Sequence, residues 1–545
     1  MKNKTTPQEG FKGLAQHWKA DMLSGFLVFL LALPLSLGIA GASDFPPLYG
    51  LITAMVGGML VSFFAGSSLT IKGPAAGLIV IVAGSVAELG GGNNELGWKL
   101  ALGAIVVAGV IQILFGLMKF GSFSDFFPIA AVHGMLAAIG IIIISKQSHV
   151  LLGMNPLTEE GRPMVEPIEL LVELRHTLPH FLDHSLVFVV GIVSLVIVFA
   201  WPKFAGERLR KIPSALVVLV VTIPLAQILG LHNTYDISNA AGVIVQKGYS
   251  PMLTFDRDLF DIIGVKVDFS GLNMPGVFWK YVIMFALVGS LEALLTVKAI
   301  DMQDPFKRRS NPDKDLIAVG LGNIVAGVLG GLPMISEVAR SSANVANGAR
   351  TRWSNFFHGL FILIFLCVEV TFNDLIPKAA LAAMLIGVGW KLAHPREFGL
   401  MIRTGKDQAS IFIITIAATL VTDLLVGIAL GIFIKLLLHA FRGVPIRVFF
   451  KPNMRVNENL IEVYDAAVFS NFIPVKKKLL SFNLNERVTI DFRHCNFIDH
   501  SVVETLYHMR DDFKEEGGEL IVLGIEELKP VGNSTHHLAA LRRRK

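Results

Sequence analysis

The sequence is poor in cysteine and in charged residues, and both shortages narrow what the chain can be. Its 545 residues include two cysteines, Cys367 and Cys495, which supply neither a disulfide framework nor a metal-ligand cluster. Charged residues make up 17% of the chain and apolar residues 53%, and the mean hydropathy of +0.60 is far above that of soluble globular proteins. No GxxxxGK[ST] phosphate loop is present, so nothing indicates a nucleotide-hydrolysing motor. The composition favours a membrane protein.

Apolar runs long enough to cross a bilayer as helices recur from residue 22 to about residue 442. Loops rich in Lys and Arg alternate with short loops that have neither, and the basic loops are expected on the cytoplasmic side. Because the number of spans is even, both termini are expected in the cytoplasm. The expected location of the chain is the inner (plasma) membrane. Residues 1–21 have no signal-peptide pattern and form a cytoplasmic segment. The predicted spans are 22–42, 47–66, 74–89, 98–118, 124–145, 185–201, 213–230, 277–298, 315–330, 335–347, 353–372, 376–393, 408–424 and 426–441.

Two of the fourteen predicted spans are short and are interrupted in similar ways. The third follows the Ser-, Gly- and Pro-containing segment 67–74, and the tenth follows 330–336. Transporters built from inverted repeats use such discontinuous helices, because each helix start presents free N–H groups and a positive dipole end where an anion can bind. The alternative is that these Gly and Pro residues only kink ordinary membrane helices. Their position at the third span of each set of seven favours two repeats.

After residue 450 the composition becomes that of a soluble domain. Segments 460–468 and 487–492 alternate as strands do, 501–513 has the pattern of an amphipathic helix, and 519–524 has that of a third strand. These elements predict a small α/β domain over residues 455–532. The basic tail, residues 533–545, is interpreted as a solvated end or a membrane-surface contact rather than a nucleic-acid site.

Five stretches of the chain resemble the SulP family of anion transporters and its STAS domain. The resemblance spans almost the whole chain. It implies an all-α transmembrane domain over residues 22–443, with about fourteen spans in a seven-plus-seven inverted repeat of core and gate parts, a cytoplasmic STAS domain, and a homodimer. The stretches are LVFLLALPLSLGIAGASDFPPLYGL (27–51), GSSLTIKGPAAGLIVIVAG (66–84), GSLEALLTVKAID (289–301), GGLPMISEVARSSANVANGART (330–351) and, for the STAS domain, VTIDFRHCNFIDHSVVETL (488–506).

By position, the resemblance implies an anion site between the starts of the third and tenth spans. The implied substrate-binding residues are Gly73, Pro74, Ala75, Ala76, Ile335, Ser336 and Glu337, with Arg340 one turn further along. Arg340 could attract the anion directly or neutralise Glu337. Lys72 could attract the substrate or form a bridge to Glu292 or Glu337, and it is grouped with the ion-coupling residues.

Glu292 and Thr296 lie four residues apart and therefore on one face of the eighth predicted span. They match the acidic and hydroxyl positions that the family uses for coupling or gating. Glu292 could carry a proton, or hold Na⁺ as a metal ligand together with Thr296. The alternative is a static ion pair with Lys72 or Arg340. The family's bicarbonate members have Asp where this chain has Glu, which leaves Na⁺ and H⁺ both open as the coupling ion.

The resemblance also bears on the substrate and on regulation. The sequence Pro34-Leu35-Ser36 is closer to the bicarbonate-type than to the sulfate-type pattern, so the predicted function is bicarbonate transport by alternating access. Alternatives are a sulfate or dicarboxylate/proton symporter, an anion exchanger, and an anion channel or voltage-responsive sensor. Ser501 occupies the place of a phosphorylated hydroxyl in bacterial STAS regulators, although a helix N-cap role is favoured.

An enzyme is the weakest interpretation. Carbonic anhydrase activity would need a zinc site, and the soluble tail offers only the adjacent His494 and Cys495. We expect no cofactor beyond the coupling ion. The expected partners are the anion, membrane lipid and a second copy of the chain, with a separate carbonic anhydrase if bicarbonate is the substrate, and no nucleic acid.

Overall fold

Helices make up most of the chain up to residue 450, and a mixed α/β domain follows. The computed structural model describes residues 6–122, 127–155, 164, 167–177, 185–206, 209, 212–238, 244–253, 264–367, 375–422, 424–531 and 536–543. They group into two units, the first comprising Met1–Gly121 and Ile139–Leu392 and the second Ser122–Ala138 and Ala393–Lys545.

The first unit consists of helices of very different lengths, with two pairs of short strands between them. Pro34 lies inside the first helix without ending it. The helices are α1 (Gly10–Ala42), α2 (Leu48–Met59), α3 (Val61–Phe64), α4 (Ile79–Gly90), α5 (Asn94–Leu117), α6 (Ile129–Leu151), which begins in the second unit, α7 (Pro167–Thr177), α8 (Ser185–Phe204), α9 (Ser214–Ile228), α10 (Pro275–Gln303), α11 (Pro312–Val328), α12 (Val338–Ala346), α13 (Trp353–Cys367) and α14 (Lys378–Leu392). The strands are β1 (Lys72–Pro74), β2 (Tyr235–Ser238), β3 (Ile244–Tyr249) and β4 (Met334–Ser336), and single 3₁₀ turns occur at Ala76–Leu78 and Ser270–Asn273.

Glycines allow the closest helix crossings in this unit. A Cβ added to Gly109 of α5 would lie 2.8 Å from the carbonyl oxygen of Gly320 in α11, and one added to Gly58 of α2 would lie 2.4 Å from the Cα of Gly359 in α13. Small residues at such crossings bring the backbones together, which is the main way that helices pack tightly within a membrane. These two crossings hold α2, α11 and α13 around the strands β1 and β4.

The second unit contains further helices and the α/β domain. Its helices are α15 (Pro395–Thr404), α16 (Lys406–Val421), α17 (Leu424–Phe441), α18 (Ile446–Phe450), α19 (Phe472–Leu479) and α20 (His500–Glu515), and its strands are β5 (Asn453–Asn457), β6 (Leu460–Ala467), β7 (Arg487–Ile498), β8 (Glu519–Leu523), β9 (Lys529–Pro530) and β10 (Leu541–Arg542). The long strand β7 pairs in parallel with β6 and β8 and antiparallel with β10. One face of α20 and one of α19 pack on this sheet through Val475, Leu479, Leu506 and Phe513.

The α/β domain has the strands and the helix that the alternation in the sequence predicts, together with four elements that were not predicted, the strands β5, β9 and β10 and the helix α19. Strand β5 begins at Asn453, and β10 falls within the segment 533–545 that was interpreted as a tail. Both pairings are made by backbone hydrogen bonds, and such short strands of mixed composition leave little periodic signal to read.

Six described helices are long and apolar enough to cross a bilayer, namely α1, α5, α6, α8, α10 and α17. Four shorter apolar helical segments accompany them, at Leu48–Phe64, Ala76–Gly90, Ser214–Ile228 and Trp353–Cys367. Each of the fourteen predicted spans overlaps one of the helices above, and the number of crossings stays a prediction. Helices α7 and α15 and the β2–β3 hairpin lie in segments that were predicted as loops.

Candidate functional site

Two three-residue strands meet in the interior of the first unit, and each leads into a half helix. Strand β1 pairs antiparallel with β4, so that Lys72 lies opposite Ser336 and Gly73 opposite Ile335. All six residues of the two strands are buried. The chain after β1 enters the 3₁₀ turn Ala76–Leu78 and α4, and the chain after β4 enters α12. The two interrupted spans of the sequence therefore begin side by side.

Backbone and amide hydrogen bonds hold the two strands in this register. The N–H of Glu337 donates to the carbonyl oxygen of Ile71 at 2.9 Å, and that of Ala75 donates to Pro333 at 3.2 Å. Asn323 of α11 accepts from the N–H of Met334 at 2.6 Å and donates to its carbonyl oxygen at 3.3 Å. On the other strand, Asn355 of α13 accepts from the N–H of Lys72 at 3.2 Å. Buried amides with both ends satisfied fix a backbone firmly.

Neither half helix is capped at its start by a side chain of its own. Instead the N–H of Ala76, at the start of one half helix, donates at 3.3 Å to the carboxylate of Glu337, which is the N-cap residue of the other. A helix N-terminus attracts negative charge because its first N–H groups are unpaired within the helix. The N–H of Ala76 therefore binds an oxyanion in this structure, and that oxyanion is the side-chain carboxylate of Glu337.

Arg340 is completely buried one turn into α12, and its side chain points at β1. A Cβ added to Gly73 would lie 2.4 Å from the guanidinium Nη1, so the glycine makes room for the arginine. None of the three side-chain nitrogens of Arg340 has a hydrogen-bond partner among the described residues. A buried charge without a partner is costly, which makes this guanidinium a strong candidate for binding an anion.

Glu292 is buried in the middle of α10 and faces the other half helix. A Cβ at Gly77 would lie 1.9 Å from its Oε1. That oxygen has no hydrogen-bond partner in the part of the chain that the structure describes, and Glu292 forms no ion pair there with Lys72 or Arg340. The static ion pair considered from the sequence is thus not formed. Thr296 is also buried, one helical turn further along.

Lys72 pairs with a carboxylate other than the two that the sequence suggests. Its ammonium lies 3.0 Å from Asp315 of α11, and both side chains are buried. The same carboxylate accepts from the N–H groups of Gly66 and Ser67 at 3.1 and 3.2 Å and from the hydroxyl of Ser336 at 3.2 Å. The expected bridge from Lys72 to Glu292 or Glu337 was therefore wrong. Asp315 neutralises Lys72 and ties β4 to the loop before β1.

Several polar residues around the site were missed from the sequence. They are Asp315, Asn323, Gln112, Asn355 and His358, all of them buried. Gln112 accepts from the amide of Asn323 at 2.7 Å, while neither ring nitrogen of His358 has a hydrogen-bond partner among the described residues. A polar side chain within an apolar span is the available signal for each of them.

Ser501 lies in the second unit, and its predicted role as a helix N-cap is wrong. The N-cap of α20 is Asp499, and Ser501 is the second residue of the helix. The Ser501 hydroxyl accepts a hydrogen bond at 3.0 Å from Lys435 of α17, whose ammonium also lies 2.8 Å from Asp499. The serine is therefore a buried contact between a membrane-type helix and the α/β domain within this unit.

Comparisons with known proteins identify the family of the chain. A model of the sulfate permease family matches residues 18–415. YvdB of Bacillus subtilis (strain 168), a candidate sulfate transporter, is 27% identical over 428 residues, which cover 78% of this chain and 74% of that protein. The bicarbonate transporter BicA of Picosynechococcus sp. is 25% identical over 425 residues, 76% of this chain and 69% of that protein.

Solved structures show a likeness of fold. The transmembrane domain of a cyanobacterial BicA matches 78% of this chain and 100% of its own length, with a TM-score of 0.63 and 22% identity. The murine Slc26a9 anion transporter in its inward-facing state matches 92% of this chain and 85% of its own, with a TM-score of 0.65 and 15% identity.

Proposed function

This chain belongs to the sulfate permease family of multi-span membrane anion transporters, and we propose that it is a secondary active transporter of bicarbonate, coupled to H⁺ or Na⁺, that works by alternating access. The observation that carries the proposal is the pair of half-helix starts with Arg340 buried and unpartnered beside them in the described part of the chain. The anion would bind at Gly73–Ala76 and Ile335–Glu337, with its charge facing Arg340 and the N–H of Ala76.

The charges around the site favour a monovalent anion over sulfate. Lys72 is neutralised by Asp315, so Arg340 is the one cation left to the substrate among the described site residues. Two carboxylates, Glu292 and Glu337, flank the same space. A divalent anion would meet a single guanidinium and two acidic groups, and uncompensated charge of that kind is strongly unfavourable away from water. Transport of sulfate or a dicarboxylate would require both carboxyl groups to be protonated. Exchange of monovalent anions would not, and it is distinguished from coupled uptake by its dependence on an anion on the opposite side of the membrane.

Glu337 gives the site a built-in competitor for the substrate. Its carboxylate holds the N–H of Ala76, which is where the anion would bind. Substrate entry therefore displaces Glu337 towards Arg340 or requires its protonation, and either event links anion binding to a change in charge. Glu292 and Thr296 would then hold the coupling ion, either as a proton on the carboxyl group or as Na⁺ on its oxygens. Lys72 has a structural role in this scheme rather than a coupling role.

Uptake of labelled bicarbonate and of labelled sulfate into proteoliposomes tests the proposal directly. Gradients of pH and Na⁺ are imposed in turn, for the parent chain and for Glu292→Gln. We expect the parent to accumulate bicarbonate when one of the two gradients is imposed. Glu292→Gln should lose this gradient-driven accumulation, because a carboxamide can neither release a proton nor neutralise Na⁺. Normal gradient-driven uptake by the variant would remove Glu292 from the mechanism. Faster sulfate uptake by the parent would overturn the choice of substrate.

The close approach of Gly77 to Glu292 provides a second prediction. A methyl group at Gly77 would lie 1.9 Å from the Glu292 carboxylate and must displace it. We expect Gly77→Ala to lower the uptake rate by about ten- to a hundred-fold, since small misplacements of a binding group have effects of that size. Gly276→Ala, in the first turn of the same helix as Glu292, is the matched control because its Cβ would meet nothing within 4 Å. Equal uptake by the two variants would contradict the prediction.

The remaining expectations extend the proposal beyond the site. We propose that the α/β domain is a cytoplasmic STAS domain, that the spans form a seven-plus-seven inverted repeat in the plasma membrane, and that two copies associate. A carbonic anhydrase would supply or consume the bicarbonate. Phosphorylation of Ser501 would add negative charge beside the buried Asp499 and compete with it for Lys435. A channel or voltage-sensing mode is distinguished from a transporter by a turnover that does not saturate.

A further inference from the structure

A cavity of 530 Å³ lies in the first unit, apart from the paired strands. It is lined by the end of α1, the loop before α2, the starts of α5 and α14 and the last turns of α6. Tyr49 and Trp98 form part of its wall, and the indole N–H of Trp98 donates at 3.2 Å to the carbonyl oxygen of Gly330, four residues before β4. The cavity therefore adjoins the segment that leads to the proposed anion site.

Three helices begin at this cavity. Leu48, Asn94 and Lys378 are the first residues of α2, α5 and α14, and all three line it. Their dipoles direct positive potential into the same space. Two helices end at the cavity, α1 at Ala42 and α6 beside Val150, and their C-terminal dipoles oppose part of this potential. The carbonyl oxygen of Ala42 accepts a hydrogen bond at 2.9 Å from the ammonium of Lys146.

Lys378 adds a full positive charge to these helix ends. Its ammonium lies 4.6 Å from the centre of the Tyr249 ring, which also lines the cavity, and it forms no ion pair with a described residue. A lysine in the first turn of a helix is electrostatically unfavourable, because it faces the positive end of the helix dipole. A cation kept in that position, half-buried and facing a cavity, calls for a negative partner.

The other charged groups in the cavity wall leave Lys378 uncompensated. Asp44 pairs with Lys146 at 3.0 Å, and Glu95 pairs with Lys99 at 2.9 Å. Each of these carboxylates has its own ammonium, so among the described residues of the cavity wall Lys378 is the charged side chain without a counter-charge.

We propose that this cavity is a second anion-binding site, a vestibule in which Lys378 holds a small inorganic anion. Its chemistry, one ammonium with helix N-termini and an aromatic wall, fits a weakly bound monovalent anion such as bicarbonate or a halide. The further step, in which the anion held here is the one transported, rests on the proposed function. The vestibule then raises the local concentration of substrate next to Gly330 and β4.

The electrostatic part is tested without transport by a cysteine at Gly41. This residue lines the cavity, and a Cβ there would meet nothing within 4 Å, so Gly41→Cys should place a thiol in the vestibule without strain. In a background with Cys367 and Cys495 replaced by Ser, the rates of labelling by an anionic and by a cationic methanethiosulfonate are compared. We expect Lys378→Gln to lower the anionic-to-cationic rate ratio about five-fold, as removing one charge within roughly 8 Å in water should do.

The controls separate the charge of Lys378 from general effects. Lys280→Gln removes the same charge from a lysine that is paired with Glu88 at 2.9 Å and does not line the cavity, and it should leave the ratio unchanged. Lys378→Arg should keep the ratio, and 1 M salt should abolish the difference between parent and Lys378→Gln. A ratio that Lys378→Gln leaves unchanged at low salt overturns the proposal.

The link to transport is read from bicarbonate uptake in the same variants. Lys378→Gln should raise the apparent KM several-fold and leave kcat close to that of the parent. The substitution weakens the binding of bicarbonate in the vestibule and contacts no residue of the paired half helices. If the labelling ratio responds and bicarbonate is not transported by the parent, the vestibule stands and the proposed function fails. If the parent transports bicarbonate normally and Lys378→Gln does not change the labelling ratio, the proposed function stands and the vestibule fails.

Discussion

Asp315→Asn is expected to destabilise the protein by about 3–5 kcal/mol, the usual cost of removing one partner from a buried ion pair. The substitution leaves the ammonium of Lys72 buried without a counter-charge. It also weakens the acceptor for the N–H groups of Gly66 and Ser67 and for the hydroxyl of Ser336. Denaturant unfolding of the full chain in detergent measures the change.

An exposed ion pair provides the control for this prediction. Glu95→Gln makes the same carboxylate-to-amide change in an ion pair with Lys99. The side chain of Glu95 is 62% exposed and that of Lys99 is 36% exposed, so the substitution should lower the stability by less than about 1 kcal/mol. Equal free energies of unfolding for the Asp315 and Glu95 variants would show that the buried ion pair contributes no more to stability than the exposed one.

A double substitution distinguishes the charge from the packing. Lys72→Met with Asp315→Leu removes both charges and keeps apolar groups of similar size, and such replacements are often neutral or stabilising. We expect it to recover the part of the lost stability that comes from the uncompensated ammonium of Lys72. The part that comes from the donors of Gly66, Ser67 and Ser336 should not be recovered, because a leucine cannot accept their hydrogen bonds. Bicarbonate uptake by the double variant should be well below that of the parent, because Ser336 loses its acceptor and β4 is no longer held to the loop before β1. Recovery of both stability and uptake would show that the pair is dispensable to the site.

The case of Lys72 illustrates what the sequence could and could not predict. The sequence left open whether Lys72 attracts the substrate or forms a bridge to Glu292 or Glu337, and the structure pairs it with the buried carboxylate of Asp315. The partner was misidentified because Asp315 is 243 residues away and marks the start of a span, where a carboxylate is unremarkable. The pairing of β1 with β4 and the packing of α11 against α2 and α3 bring Asp315 to the loop before β1. Neither contact leaves a periodic signal in the sequence around Lys72.

The half helices themselves were predictable, because their signal is local. Gly and Pro interrupt two apolar runs at corresponding places, and the structure places Gly73 opposite Ile335. Glu292 was predicted from its position in an otherwise apolar helix, and it does face the start of a half helix at Gly77. The lack of a described partner for Arg340 could not be predicted, since it depends on where every neighbouring side chain lies. The same holds for the vestibule, whose three helix ends come from distant parts of the chain.

The contact between α17 and the α/β domain should be nearly as sensitive to substitution as the Asp315 pair. Asp499 is fully buried at the start of α20, 2.8 Å from Lys435 and 3.6 Å from the ring of His439. Burial works against the charged form of Asp499, but the charge of Lys435 and then that of His439 outweigh it and hold the pKa of Asp499 well below its usual range. Asp499→Asn strands Lys435 without its counter-charge, so we expect a loss of about 3–5 kcal/mol.

Cys495 reports this loss within the α/β domain. Its thiol is buried in strand β7, and burial raises the pKa of Cys495 to about 12, so the native thiol should react slowly with a disulfide reagent. In a background with Cys367→Ser, opening of the domain exposes the thiol, and a loss of 3–5 kcal/mol should speed labelling by about a hundred-fold or more. Glu519→Gln, which breaks an exposed pair with Arg487, is the control and should label at the parent rate.

The pH dependence follows from the lowered pKa of Asp499. The unfolded chain takes up a proton on this carboxyl near its ordinary pKa of about 3.9, whereas the folded chain does so only at lower pH. The stabilisation by Asp499 is therefore complete above about pH 5 and is lost as the pH falls through 4 towards the folded-state pKa. The parent should lose more stability than Asp499→Asn between pH 5 and pH 3. Parallel losses in the two proteins would mean that the Lys435–Asp499 pair does not hold the α/β domain to α17.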